Sequence, residues 1–350
     1  MIPQLTILRG GFALMIVSVH LSQQFLSKSD APFLYSLFDL GKHGVAGFFV
    51  LSAFLLTRGL LTVEPNSKGL RNYFFRRFVR IAPAYYVCVL VLSIFQKASV
   101  VSLVLHLVFL FNIDAQMFGA LNYAFWSIAV EVMFYVLLPL LLKIQLKLDA
   151  TKLIIGMIVL GLGWQFVSGI SRRFFGFDQS LDWAARLFLV TALPAFAFGI
   201  ALAMRDVASR RIIHVLAFCG LALVVLDVLL RLVGVWSSAA TNGYLVLDSL
   251  LDGASGYFAY GGATFLLLNR DWKPIAWNSL SEFLFWTGER SFSLYLWHLP
   301  VAVVFASLFS GIVPAILAAL FALLISHLSY KAIEKPASRY LLNWQRSSLP

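Results

Sequence analysis

The sequence predicts an all-α fold, a polytopic transmembrane helical bundle. Three observations carry this. Apolar runs of helix length recur along the chain, charge is scarce, and the basic residues gather between the runs. Hydrophobic residues make up 61% of the 350 and charged residues 12%, with a mean hydropathy of +0.87. A soluble domain of that balance would have no polar covering for its outer faces. The runs also lack the strict alternation that marks the strands of an outer-membrane barrel.

Runs of crossing length lie at roughly 5–26, 44–61, 78–95, 124–142, 153–169, 187–204, 212–231, 246–268, 291–309 and 312–331. They predict about ten membrane-spanning helices. A further run near 100–112 is too brief to cross, at about 12 residues, and reads as re-entrant or interfacial. The first run has no basic leader and no small-residue cleavage site, so it reads as a retained helix and not a signal peptide. With the N-terminus inside, the basic groups at Lys68–Arg80, Lys143–Lys152, Arg205–Arg211 and Lys331–Arg346 all fall on the inner side. Making the short run a full span would throw the Lys143–Lys152 group outward. The distribution therefore predicts that both termini are cytoplasmic. Topology and anionic headgroups also account for the net charge of +11, and no nucleic-acid partner is implied. Loops are short, so residues 1–350 form a single transmembrane domain without a separate soluble one. Cys88 and Cys219 sit inside apolar runs and make neither a disulfide framework nor a metal-ligand pattern.

Polar residues inside the runs are the candidates for chemistry. Arg9 and His20 share the first helix; eleven residues apart, they differ by about 20° and by about 16 Å along the axis. One polar stripe on an apolar helix points to a cavity or to partner helices. Taken singly, a snorkelling arginine and a packed histidine are the plainer readings. Glu131 sits about two turns below the outer surface, at a depth similar to His20, and a carboxylate in hydrocarbon needs a partner. His20 is the expected one; a structural pair with Arg186 or with a backbone group is the other. Arg76, Arg77 and Arg80 stand at the inner mouth of the third span, where converging guanidiniums suit phosphates, although an anchor on a solvated face would look the same. His298 lies about two turns up from the inner surface, as either a buried structural histidine or a site residue.

Six segments then resemble, in order, the acyltransferase-3 family of integral membrane O-acyltransferases. They are Leu8-Arg9-Gly10 with His20, the run from Gly41 to Leu56, Arg76 to Tyr86, Phe125 to Tyr135, Ser291 to His298, and Ala332 to Pro336. Thr6 and Ala53 depart from that family's pattern. The resemblance implies acyl-CoA, usually acetyl-CoA, as donor and no metal. It implies a carbohydrate or glycolipid hydroxyl as acceptor and the bacterial cytoplasmic membrane as location. It makes Arg76, Arg77 and Arg80 receptors for the nucleotide phosphates, with Arg9 and His298 further along the donor. It makes His20 the general base, oriented by Glu131, or else the carrier of an acyl intermediate. Trp126 and Tyr135 would line the acceptor end. A single tunnel should then join the arginines to the His20–Glu131 couple. No esterase-like C-terminal domain follows the bundle, so transfer is expected to finish within it or on a separate protein. A secondary transporter or a non-catalytic scaffold is the competing reading; the halves show no repeat and no paired broken helices.

Overall fold

The computed structural model describes residues 3–26, 32–63, 66–114, 116–145, 149–175, 189–204, 210–232 and 278–348. Among them every regular element is helical. The helices are α1 (Pro3–Phe25), α2 (Pro32–Asp39), α3 (Gly44–Leu61), α4 (Ser67–Phe95), α5 (Val100–Leu107), α6 (Trp126–Gln145), α7 (Ala150–Phe175), α8 (Leu189–Ala203), α9 (Arg210–Leu232), α10 (Ser279–Glu289), α11 (Ser291–Leu308), α12 (Ile312–Ser329) and α13 (Lys335–Ser348). A π-helical turn, Tyr330–Glu334, joins the last two.

Among the described residues seven helical stretches are long and apolar enough to cross a membrane: Pro3–Phe25, Phe33–Leu61, Ser67–Phe95, Tyr123–Gln145, Ala150–Ser168, Ser291–Leu308 and Ile312–Gln345. They answer seven of the predicted runs. The runs at 187–204 and 212–231 appear as shorter apolar stretches, Leu189–Ala203 and His214–Leu223. The run at 246–268 lies outside the described residues. Side chains such as Ile94, Phe95, Val100 and Phe218 are more than 70% exposed. Large apolar groups turned outward on this scale make a surface solvated by lipid, as expected of an integral membrane protein.

The interior is close-packed around α8. Its 15 residues reach only about 22 Å, short of a hydrocarbon core. Every residue from Ala192 to Leu202 is buried, the mark of a helix enclosed on all sides. Phe196 of α8 stacks on Phe134 of α6 with ring centroids 3.8 Å apart. Small residues set the closest approaches. A Cβ on Gly10 of α1 would run into the carbonyl oxygen of Leu284 in α10, and one on Gly288 of α10 would run into that of Thr6. The two helices meet backbone to backbone, as small-residue contacts allow in membranes.

The segment between α4 and α6 fixes the depth at which α6 begins. It holds α5, which is eight residues long, and then a 3-10 turn at Phe111–Ile113. At about 12 Å, α5 cannot cross a bilayer, which agrees with the reading of this run as non-spanning. Phe111, Asn112, Leu121 and Asn122 are buried. Asn112 donates to the Trp126 carbonyl at 2.9 Å and Asn122 to the Leu296 carbonyl at 3.1 Å. The chain thus dips into the bundle before α6 begins.

Replacement of Gly288 by valine should therefore destabilise the protein by about 1–3 kcal/mol through forced separation of α1 and α10. Gly11→Ala, where a Cβ meets nothing within 4 Å, should be neutral. Thermal unfolding of the purified variants in detergent checks both; equal midpoints would contradict the packing.

Candidate active site

A cavity of about 130 Å³ opens among α1, α3, α4, α6 and α11. Arg9, Arg77 and Arg80 reach it from two helices, with Ser52, Ser127, Glu131, Tyr135, Ser291 and Tyr295 beside them. Phe48, Phe49 and Phe292 supply apolar wall. Three guanidiniums against one carboxylate make it a cationic chamber in an apolar bundle.

Every charge of the chamber except Arg77 has a defined support. Arg9 Nη2 donates to Ser291 Oγ at 3.0 Å. Arg80 Nη1 donates to Glu334 Oε1 at 2.6 Å, and the other oxygen of Glu334 accepts from Ser293 Oγ at 2.8 Å. Glu334 is only 3% exposed and sits on the π-helical turn, so it is a buried anion with both oxygens engaged. Glu131 Oε1 accepts from Ser52 Oγ at 2.6 Å and from Tyr135 Oη at 2.8 Å. Arg77 differs from the rest: its Nε is buried without a hydrogen-bond partner. A buried guanidinium nitrogen costs free energy unless a ligand or a water meets it.

The expected pairing of Glu131 with His20 is corrected by this geometry. Glu131 is held by Ser52 and Tyr135, and the ring of His20 meets a histidine instead: its Nδ1 lies 2.8 Å from Nε2 of His298. The cause is the dip before α6. Asn122 is level with Leu296, and Ser127 meets Tyr295 at 2.6 Å. Counting down α6 from there puts Glu131 near Ser291, about 10 Å below His298. It is thus at the level of the Arg9 head and not of His20.

Other expectations are redistributed. His298 stands apart from the arginines, 2% exposed and bonded to His20, so it does not join the cationic set. Of the arginine trio, Arg77 and Arg80 line the chamber, whereas Arg76 is exposed. The chamber lies between Arg77 and Arg80, and Arg76, about 100° round the helix from Arg77, looks outward. Tyr135 lines the chamber, while Trp126 does not and packs edge-on against Phe49 at 6.1 Å. His20 is not a lining residue either. Tyr295 and Ser127 close the chamber on that side: Tyr295 Oη accepts from Ser127 and donates to the Ala124 carbonyl at 2.6 Å. The expected single tunnel is therefore interrupted at Tyr295, one turn short of His298.

Ser52, Ser127, Ser291, Tyr295 and Glu334 carry no sequence-based role. Ser52 and Ser291 are hidden among many serines. Glu334 lies in the Ala332–Pro336 segment and is signalled only by being an acid among lysines. Among the described residues no group of three His, Cys, Asp or Glu comes together as metal ligands would.

A family model described as an acyltransferase domain matches residues 2–330. The chain belongs to the acyltransferase-3 family. Among curated proteins it is similar to the O-acetyltransferase OatA of Staphylococcus aureus strain NCTC 8325 / PS 47, with 27% identity over 96% of this chain and 57% of that protein. The OatA of strain COL matches to the same extent. The chain spans a little over half the length of these relatives. No solved structure matches it. Membership in the acyltransferase-3 family agrees with the order of polar motifs, and the chamber gathers residues from five of those six segments.

The Arg80–Glu334 contact should be measurable. A double-mutant cycle of Arg80→Ala and Glu334→Ala, followed by thermal or denaturant unfolding, should give a coupling of about 1–3 kcal/mol for a charge-assisted bond. Additive effects would mean that the pair makes no net contribution.

Proposed function

We propose that this chain is a membrane O-acyltransferase that moves an acetyl group from acyl-CoA to a hydroxyl of a carbohydrate acceptor. The observation that carries the reading is the convergence of Arg9, Arg77 and Arg80 on one chamber with a single lining carboxylate, Arg77 Nε being unsatisfied. Such a site suits a polyanion, and guanidinium forks match phosphate oxygens. The donor phosphates would sit at this end, which faces the cytoplasm together with both termini. Residues 1–350 act as one transmembrane domain in a bacterial cytoplasmic membrane. The O-acetyltransferase names of the relatives support the acetyl group and the oxygen acceptor.

The Tyr295–Ser127 contact closes the way from the chamber to His20, so it must open for the pantetheine arm to bring the thioester to His20. The acceptor hydroxyl attacks the thioester carbonyl while His20 takes its proton; the thiolate leaves and receives that proton back. Glu131 has a different part from the one its depth in the sequence implies. Held by Ser52 and Tyr135, it balances the charge of Arg9 beside the donor phosphates. Tyr135 belongs to the donor end with it.

The test uses the purified full chain, labelled acetyl-CoA and a panel of glycans. Replacing His20 with alanine should lower transfer by about 10²–10⁴-fold and leave CoA binding intact. Unimpaired transfer by that variant would end the proposal. Arg80→Ala and Arg77→Ala should raise the KM for donor by about 10-fold or more with little change in kcat, as loss of a charge-assisted contact does. Arg76→Ala should leave donor KM within about 2-fold, because its side chain looks away from the chamber. The reverse ranking would place the donor elsewhere.

A further inference from the structure

Both ring nitrogens of His298 are committed. Its Nδ1 lies 3.0 Å from the Leu294 carbonyl and 2.9 Å from the Tyr295 carbonyl. Carbonyl oxygens only accept, so Nδ1 carries a proton. In the neutral ring Nε2 is then a lone pair, and that lone pair faces His20 Nδ1 at 2.8 Å. Two lone pairs cannot meet at that distance, so His20 Nδ1 must be the donor. The remaining nitrogen of His20, Nε2, is left as the unprotonated one.

We infer that His298 is a positioning residue for His20: it holds His20 in the Nδ1–H tautomer and so presents Nε2 as the base. This rests on the reading of His20 as the proton acceptor. The supporting frame is rigid. His298 is 2% exposed on α11, its Nδ1–H fixed by α11's own carbonyls, whereas His20 keeps part of its surface open. The free imidazole prefers the opposite tautomer, with the proton on Nε2, which would make His20 useless as a base toward a group on that side. An acceptor opposite Nδ1 reverses the preference. A buried carboxylate does this in many hydrolases; here a second imidazole does it without adding a charge to hydrocarbon. In the reaction, the hydroxyl proton passes to His20 Nε2 as the C–O bond forms and the C–S bond breaks, and it returns to the departing sulfur. His20 Nδ1–H stays on His298 throughout, so no net proton is gained or lost.

The decisive measurement is nitrogen NMR of the full chain, ¹⁵N-labelled at histidine, in lipid bilayers at a pH where the imidazoles are neutral. The chain has 6 histidines, and His20 is assigned by its loss in His20→Gln. The expected spectrum has a protonated Nδ1 and a bare Nε2 for His20. His298→Leu should return His20 to the Nε2–H form and lower kcat by about 10–100-fold, with donor KM unchanged. His298→Gln, whose amide oxygen can accept from Nδ1–H, should keep the tautomer and recover most of the rate. An Nε2–H form of His20 in the unaltered protein overturns the inference, and so does a tautomer that survives His298→Leu. If His298→Leu fails to fold, the unaltered spectrum and the glutamine variant decide. The spectrum does not depend on turnover, so a chain that showed the tautomer but no transfer would sink the enzymatic reading and leave the histidine pair standing.

Discussion

A guanidinium placed in an apolar bundle must be answered by an oxygen, and the positions of those oxygens organise this protein. Arg80 is answered by Glu334, Arg9 by Ser291. Both contacts join the first third of the chain to its last quarter, across 254 and 282 residues. They draw α1 and α4 against α11 and the turn before α13, and the chamber is the space left between them. Backbone-to-backbone contact at Gly10 and Gly288 makes this geometry possible, because any side chain there would hold α1 and α10 apart. The charges are thus held by protein oxygens set beside close backbone packing.

The same logic separates the two halves of the site. Near the arginines, anions are present: Glu131 and Glu334, each with two partners. Near His20 the polar neighbour is another histidine, with carbonyls behind it. One end is built to hold charge and the other to hold a neutral ring in one orientation. A tyrosine hydroxyl stands between them, itself pinned to Ala124 and Ser127.

The features legible in the sequence are those that local physics dictates. Of the about ten spans that hydropathy and length predict, seven appear as long apolar helices among the described residues, and the run before α6 is short as expected, because a helix in lipid satisfies its backbone within itself. The gathering of Arg9 with Arg77 and Arg80 is foreseeable only in part: charge on a span tends to face inward, but the same expectation fails for Arg76, which is exposed. Depth is not foreseeable. Counting from an assumed surface misplaces Glu131, because the buried segment at Phe111 to Asn122 shifts that count by about two turns. The partners of the charges are illegible for another reason: Glu334 and Ser291 lie hundreds of residues from the groups they bind, and only tertiary packing joins them.

The π-helical turn at Tyr330–Glu334 has a further consequence. A π turn accommodates one residue more than the α-helical path it interrupts, and each added residue rotates the downstream helix by about 100°. The turn therefore works as a phase shifter within one nearly continuous rod from Ile312 to Ser348. Upstream of it the rod presents a lipid-facing side; downstream its polar side can meet α4, where Gln345 bonds Asn72 and Ser338 approaches the Val79 carbonyl. The carboxylate that holds Arg80 lies at the point where the two phases are spliced.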